Sequence, residues 1–305
     1  MNIDVILRYF PKKVQELIQN NISDEELEIL EEIRIRNNLP LILKIGQAEK
    51  IVNYKITTED INYIFQKICE NSIYSYQKQI VNGFITVQGG NRVGIVGTAV
   101  VDQSDKIINF NYISGMNFRI SRQIIGCSNK IINEIFDEFG EIYNTLIISK
   151  PGLGKTTLLR DIIRNISSGI PNKFQGVNVA VIDERGEISA TYKGIMQNDL
   201  GIRTDVINDV PKYIGMKMVI RTMSPKVIVA DEIGNKRDSE VIKYAMCCGV
   251  KGIFTAHGSS IEDIKENPEL SELIENKIFE KIICIKNREG ENYSWDILTK
   301  SSSKF

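Results

Sequence analysis

The chain has 305 residues, enough for two domains or one large α/β unit. A formal net charge of −1 gives no bulk attraction to nucleic acid or to an anionic membrane surface. The five scattered cysteines include no C-x-x-C pair and there is a single histidine, which argues against a disulfide framework or a zinc site and fits a reduced cytosol.

Pro11 and the residues after it read as a helix with proline in its first turn. Ser23-Asp24-Glu25-Glu26 reads as a capping box ahead of an apolar series from Leu27 to Ile33. Glu32-Ile33-Arg34-Ile35-Arg36 alternates and predicts a strand with both arginines on one face, followed by another from Leu39 to Ile45. Thr57-Thr58-Glu59-Asp60 opens a helix whose buried stripe is Ile61, Ile64, Phe65 and Ile68. Phe84–Val87 and Arg92–Val96 flank the hairpin-like turn Gln88-Gly89-Gly90-Asn91. A helix is predicted over Ile131, Ile132, Ile135, Phe136 and Phe139, leading to Gly140. Strands and helices then alternate to about Cys284, with short strands near Ile282 and Trp295 and a disordered tail at Ser301–Lys304. The expected organisation is a mixed α+β domain over 1–140 and a parallel-sheet nucleotide-binding domain over 141–305. No run approaches the roughly 18–20 apolar residues of a membrane span, so any membrane link is expected through a partner.

The most informative stretch is Ser149-Lys150-Pro151-Gly152-Leu153-Gly154-Lys155-Thr156-Thr157, set between an apolar run (Thr145–Ile148) and a helical pattern. Strand, tight Gly-Lys-Thr loop and helix form the layout of a phosphate-binding P-loop. Such a loop wraps its amides around a phosphate as a nest at the positive end of the helix. Gly152 and Gly154 permit close approach, Lys155 is placed for the β- and γ-phosphates, and the Thr156 hydroxyl for Mg²⁺. The pattern departs from G-x-x-x-x-G-K-[ST] at its first position, where Ser149 stands for glycine.

Pro225–Glu232 is a second motif, a Val/Ile run ending in Asp231 and Glu232. It reads as a central parallel strand whose carboxylates reach the metal shell (Asp231) and the attacking water (Glu232). Val179–Glu187 is a similar run ending Asp183-Glu184-Arg185, which puts Glu184 near the γ-phosphate if the strands are neighbours; the bland alternative is a solvated turn. Gly252–Gly258 is a fourth run, ending in Thr255 and His257, groups able to sense a γ-phosphate by hydrogen bonding. Arg203 and Arg221 precede the acid strand, and Arg92, Arg119 and Arg122 lie in the N-terminal domain. Any of them could stabilise transition-state charge, and each has a salt-bridge alternative.

In this order the boxes resemble the ATPases of type II and type IV secretion and of pilus motors. Together with Glu32–Arg36, Gly89–Ile95, Asn117–Arg122 and Ile220–Pro225 they resemble more closely the stage III sporulation protein AA family of endospore-forming bacteria. The resemblance implies a RecA-like core and a ring-forming hexamer. It implies hydrolysis of ATP with Mg²⁺, coupled to a channel between mother cell and forespore, with stage III sporulation protein AB as docking partner. It places Lys155 and Thr156 on phosphate and metal, Asp231 on the metal shell, and Glu232 or Glu184 on the water. Two other readings are a RecA-like protein that binds or translocates nucleic acid, disfavoured by the near-neutral charge, and a scaffold that binds ATP with negligible turnover.

Overall fold

The computed structural model describes residues 3–289 and 292–299, so the serine-rich tail lies outside the described residues. The chain divides into two compact units, one of Met1–Arg122 with Ala190–Gln197, the other of Gln123–Ser189 with Asn198–Phe305.

The first unit holds α1 (Asp4–Leu7), α2 (Lys12–Asn20), α3 (Asp24–Glu28), β1 (Leu30–Arg36), β2 (Pro40–Ile45), β3 (Ala48–Lys55), α4 (Thr58–Ile68), α5 (Gln77–Val81), β4 (Phe84–Val87), β5 (Asn91–Val101) and β6 (Ile107–Arg119). The strands form one antiparallel sheet in the order β3-β2-β1-β6-β5-β4. Alternation in β1 buries Ile33 and Ile35 and leaves Arg34 and Arg36 half-buried on the other face. The expected capping box forms at Ser23, but α3 ends at Glu28 and the chain turns into β1 at Leu30. Thr57 and Asp60 make a second capping box, and α4 buries Ile61, Ile64 and Ile68. Each such aliphatic side chain contributes about 1.5–3 kcal/mol when fully buried. The segment 190–197 joins this unit through Tyr192 and Lys193, which both bind the Glu70 carboxylate, and through Gln197, which accepts from the Gly89 amide at 2.8 Å.

The second unit contains β7 (Thr145–Ser149), α6 (Lys155–Ser168), β8 (Val179–Asp183), β9 (Thr204–Asn208), α7 (Lys212–Thr222), β10 (Val227–Ala230), α8 (Lys236–Cys247), β11 (Lys251–His257), α9 (Ile261–Lys265), α10 (Pro268–Glu275), β12 (Lys281–Glu289) and β13 (Asn292–Thr299). Its sheet runs β13-β12-β7-β11-β10-β8-β9, parallel except for β13. The apolar runs are strands buried on both faces, as a parallel sheet between helical layers requires. Leu146, Ile148, Ala180, Ile182, Ile228 and Ala230 pack on one side, in the core that takes in α7, α8, α9 and α10. Ile147, Val179, Val181, Val227 and Val229 pack on the other, against α6.

The units part at 122/123, ahead of the boundary expected near 140. Residues 123–140 go with the second unit because Cys127, Ile131, Ile132 and Ile135 belong to the α6 core. The helix expected over 131–139 is instead a short 3₁₀ turn, Ile132–Ile135. The Asp137 carboxylate accepts from the amides of Phe139 and Glu141, both at 2.8 Å, a local turn that competes with helix and leaves Phe139 exposed.

Asp161 of α6 ties this segment down. Its buried carboxylate accepts from Gly126 N (3.0 Å), Ser128 N (2.8 Å), Ser128 Oγ (2.6 Å) and the Arg164 guanidinium (2.9 Å). Burial alone would push its pKa up, but these hydrogen bonds outweigh burial and hold it below the usual carboxylate range. A depressed folded pKa contributes stability that is present above the unfolded carboxylate pKa and lost as pH falls through the folded value. Asp161→Asn, which turns an NH₂ toward donors, is expected to cost about 2–4 kcal/mol in urea unfolding at neutral pH. The wild-type advantage should shrink in acid.

Candidate functional site

β7 and β8 are separated in the sheet by β11 and β10, so four apolar strands release their polar ends at one edge. Register sets the level: Ala230 pairs with both Ile182 and Phe254, and His257 pairs with Ser149. Asp183, Asp231 and Thr255 therefore lie side by side, and His257 stands next to the start of the loop. Carboxyl ends of parallel strands are where open α/β sheets bind ligands.

The loop itself follows from local backbone chemistry. Gly152 (φ 82°) and Gly154 (φ 79°) take the left-handed region, where a side chain is disfavoured. Ser149 does not: it is the last extended residue of β7, fully buried, with its hydroxyl donating to Lys150 O at 3.1 Å. That is why serine is accepted at this position of the pattern. Gly154 caps α6 without any side-chain acceptor, so the first amides of a 14-residue helix point toward the loop.

Lys155 is buried, with only 5% of its surface exposed. Burial lowers its pKa, while Asp231 and Glu232 act in the opposite direction. Its Nζ lies 3.2 Å from His257 Nδ1, and His257 Nε2 lies 2.6 Å from Glu232 Oε1. An ammonium can only donate, so Nδ1 accepts and the ring proton sits on Nε2, donated to Glu232. Arg185 Nη1 reaches the other Glu232 oxygen at 2.5 Å. Glu232 holds this position from a left-handed backbone (φ 54°), uncommon for a residue with a side chain and often found at functional sites.

Thr156 Oγ1 donates to Asp231 Oδ2 at 2.7 Å, and Thr255 Oγ1 donates to Asp231 Oδ1 while accepting from Glu232 N at 2.9 Å. Among the described residues no cluster of three or more His, Cys, Asp or Glu could hold a metal alone. One hydroxyl and one carboxylate fit a Mg²⁺ whose remaining ligands are phosphate and water. The glycine cradle, the uncapped helix and the buried ammonium likewise fit an oligophosphate.

The structure thus gathers Ser149–Thr156, Asp231, Glu232 and His257 in one place, with Glu184 close by. Glu184 is engaged by the buried Lys212 at the start of α7. Behind that pair lies Asp238, its pKa raised by burial, with Lys212 opposing that shift. Asp183 is not a free ligand, because its carboxylate accepts from Glu187 N, Ile188 N, Ser189 N and Ser189 Oγ and so fixes the turn carrying Glu184 and Arg185. Arg203 and Arg221 are not brought to this edge. Arg203 lies just before β9 and donates to Ser167 O at 3.0 Å. Arg221 is in the last turn of α7, nine residues from Lys212 and so roughly 14 Å along the helix. In the other unit Arg122 donates to Leu30 O at 2.6 Å and Arg92 stacks on Phe84. Sequence reasoning missed Lys212 altogether. Arg185 stood in the acidic box Asp183-Glu184-Arg185 but was given no role of its own, although its place directly after the two carboxylates was the available signal.

The family described as "Sporulation stage III, protein AA" matches residues 2–300. The chain is 35% identical over 286 residues to "Stage III sporulation protein AA" of Bacillus subtilis (strain 168), covering 93% of this chain and 91% of that protein. Among solved structures it is similar to the Legionella pneumophila ATPase DotB (TM-score 0.60, 15% identity, 95% of this chain and 81% of that one). It is also similar to the pilus retraction motor PilT with bound ADP (TM-score 0.61, 15% identity, 95% and 83%). The fold is therefore a RecA-like α/β P-loop core with a parallel sheet, preceded by a smaller mixed α+β portion.

Proposed function

Because the chain belongs to the sporulation stage III protein AA family, we propose that it is a Mg²⁺-dependent ATPase. In this reading it acts as a homohexameric motor that energises a channel between mother cell and forespore. The observation that carries the ATPase reading is the meeting of Thr156 and Asp231, 2.7 Å apart, beside the buried Lys155. The loop 149–157 would cradle the phosphates of ATP, with Thr156 and Asp231 holding the metal. When bound there, the metal would supply charge neutralisation on the phosphate oxygens.

Glu232 is the better candidate for orienting the attacking water and taking its proton. It adjoins Asp231 and is held by His257, which also touches Lys155, whereas Glu184 is committed to Lys212. His257 is then placed to report occupancy of the γ-phosphate position, since a phosphate drawing Lys155 away removes the donor to its Nδ1. Arg203 and Arg221, away from the carboxyl edge of the strands, would serve only at a neighbouring subunit. No helix among the described residues is long and apolar enough to cross a membrane. Attachment is therefore assigned to a membrane-anchored partner, with stage III sporulation protein AB the proposed one. Nucleic acid is not part of this reading.

The test is turnover and assembly of the purified full chain. ATP hydrolysis is expected with Mg²⁺ and is abolished by EDTA, with sixfold particles in ATP·Mg²⁺. A protein that stays monomeric with and without ATP·Mg²⁺, or assembled rings without turnover, would overturn the motor reading.

A further inference from the structure

The last hairpin reaches the same edge from the other side of the loop. β12 lies next to β7 on the flank away from β11, with Ile285 opposite Ser149, so Arg288 lies three residues past the position opposite the end of β7. Its cross-strand partner is Tyr293. Tyr293 is buried and donates its hydroxyl to Gly154 O at 3.2 Å, and the Arg288 guanidinium carbon lies 5.3 Å from the Tyr293 ring centroid. A Cβ built on Gly154 would stand 2.2 Å from Arg288 Nη1 and 2.8 Å from the Tyr293 hydroxyl. Glycine is thus favoured at 154 by its backbone angle, and the guanidinium packs directly against it.

A cation beside the N-terminus of α6 opposes the helix dipole, and Lys155 already supplies one positive charge there. Two cations and a set of uncapped amides converge where the loop can receive an anion. A guanidinium is also the group whose planar fork matches phosphate oxygens.

We propose that Arg288 is a phosphate-binding residue of the nucleotide site, gripping the oligophosphate from the β12 side of the loop while the Tyr293 ring holds the guanidinium in place. The proposal rests on the nucleotide-binding reading above. The test is calorimetric binding of ATP and of inorganic tripolyphosphate to the full chain, without Mg²⁺. Arg288→Ala and Arg288→Gln are each expected to weaken both ligands on the order of tenfold, as loss of one charge-assisted contact implies. Arg288→Lys should restore part of the loss. Tyr293→Ala should lose affinity only when Arg288 is present. If wild type binds neither ligand, the nucleotide reading itself fails. If wild type binds both and the Arg288 variants match it, only the Arg288 assignment falls. Loss of ATP with tripolyphosphate binding intact would move Arg288 to the nucleoside and overturn the phosphate assignment.

Discussion

Lys155→Ala is expected to weaken ATP binding on the order of a hundredfold and to remove measurable turnover, without destabilising the fold. The first part follows from charge: the buried ammonium sits at the glycine cradle at the mouth of α6, and charge-assisted contacts to phosphate are among the strongest hydrogen bonds. The second part follows from its pKa, which burial depresses. A lysine whose folded pKa is lowered is held charged against the preference of its surroundings, so removing it relieves a desolvation cost. The thermal midpoint should therefore stay level or rise while nucleotide affinity collapses. Calorimetric binding paired with a melting curve separates the two effects. A variant that hydrolyses ATP at the wild-type rate would sink the reading of the loop, and one that merely unfolds would show Lys155 to be structural.

That pairing of lost function with unharmed stability also explains how much could be read from the sequence. The strand ends were legible because a strand buried on both faces is written as an unbroken apolar run, and its polar end marks where it leaves the sheet. Val179–Asp183 and Val227–Ala230 are such runs, with every residue buried. Ser149, which breaks the usual loop pattern, is explained by register: it is the last extended residue of β7, and the positive backbone angles fall at Gly152 and Gly154.

What could not be read was which edge of the sheet a loop residue occupies. Arg203 and Arg221 look as close to the acid strand in the sequence as Arg185 does. Yet the pairing of Val179 with Thr204 puts Arg203 at the amino end of the strands, and a full helix separates Arg221 from Lys212. Arg288 and Tyr293 were invisible for a related reason. Their approach to Gly154 depends on β12 adding to the sheet beside β7, a pairing across more than a hundred positions. The helix expected near 131–139 failed locally, since periodic isoleucines specify burial but the Asp137 side chain specifies a turn.

Glu232→Gln should leave ATP binding near wild type and reduce turnover by roughly 10²–10⁴-fold, the usual contribution of a positioned general base. Glutamine preserves the volume and one oxygen, so His257 Nε2 can still donate to it, but it can neither take a proton nor form the ion pair with Arg185. Glu184→Gln is the internal comparison. Glu184 is paired with the buried Lys212 next to Asp238, so its replacement leaves a desolvated ammonium with weaker compensation and should appear mainly as lost stability. The two variants should therefore divide cleanly, one folding normally and trapping ATP, the other melting earlier with a smaller loss of turnover. The decisive measurement is single-turnover hydrolysis alongside thermal unfolding. If Glu184→Gln is the variant that traps ATP, the water belongs to Glu184 and the Lys212 pair must open during the cycle. If Glu232→Gln turns over normally, the contacts of Glu232 with His257 and Arg185 are structural, and the left-handed backbone at Glu232 serves to close the end of β10 against Thr255.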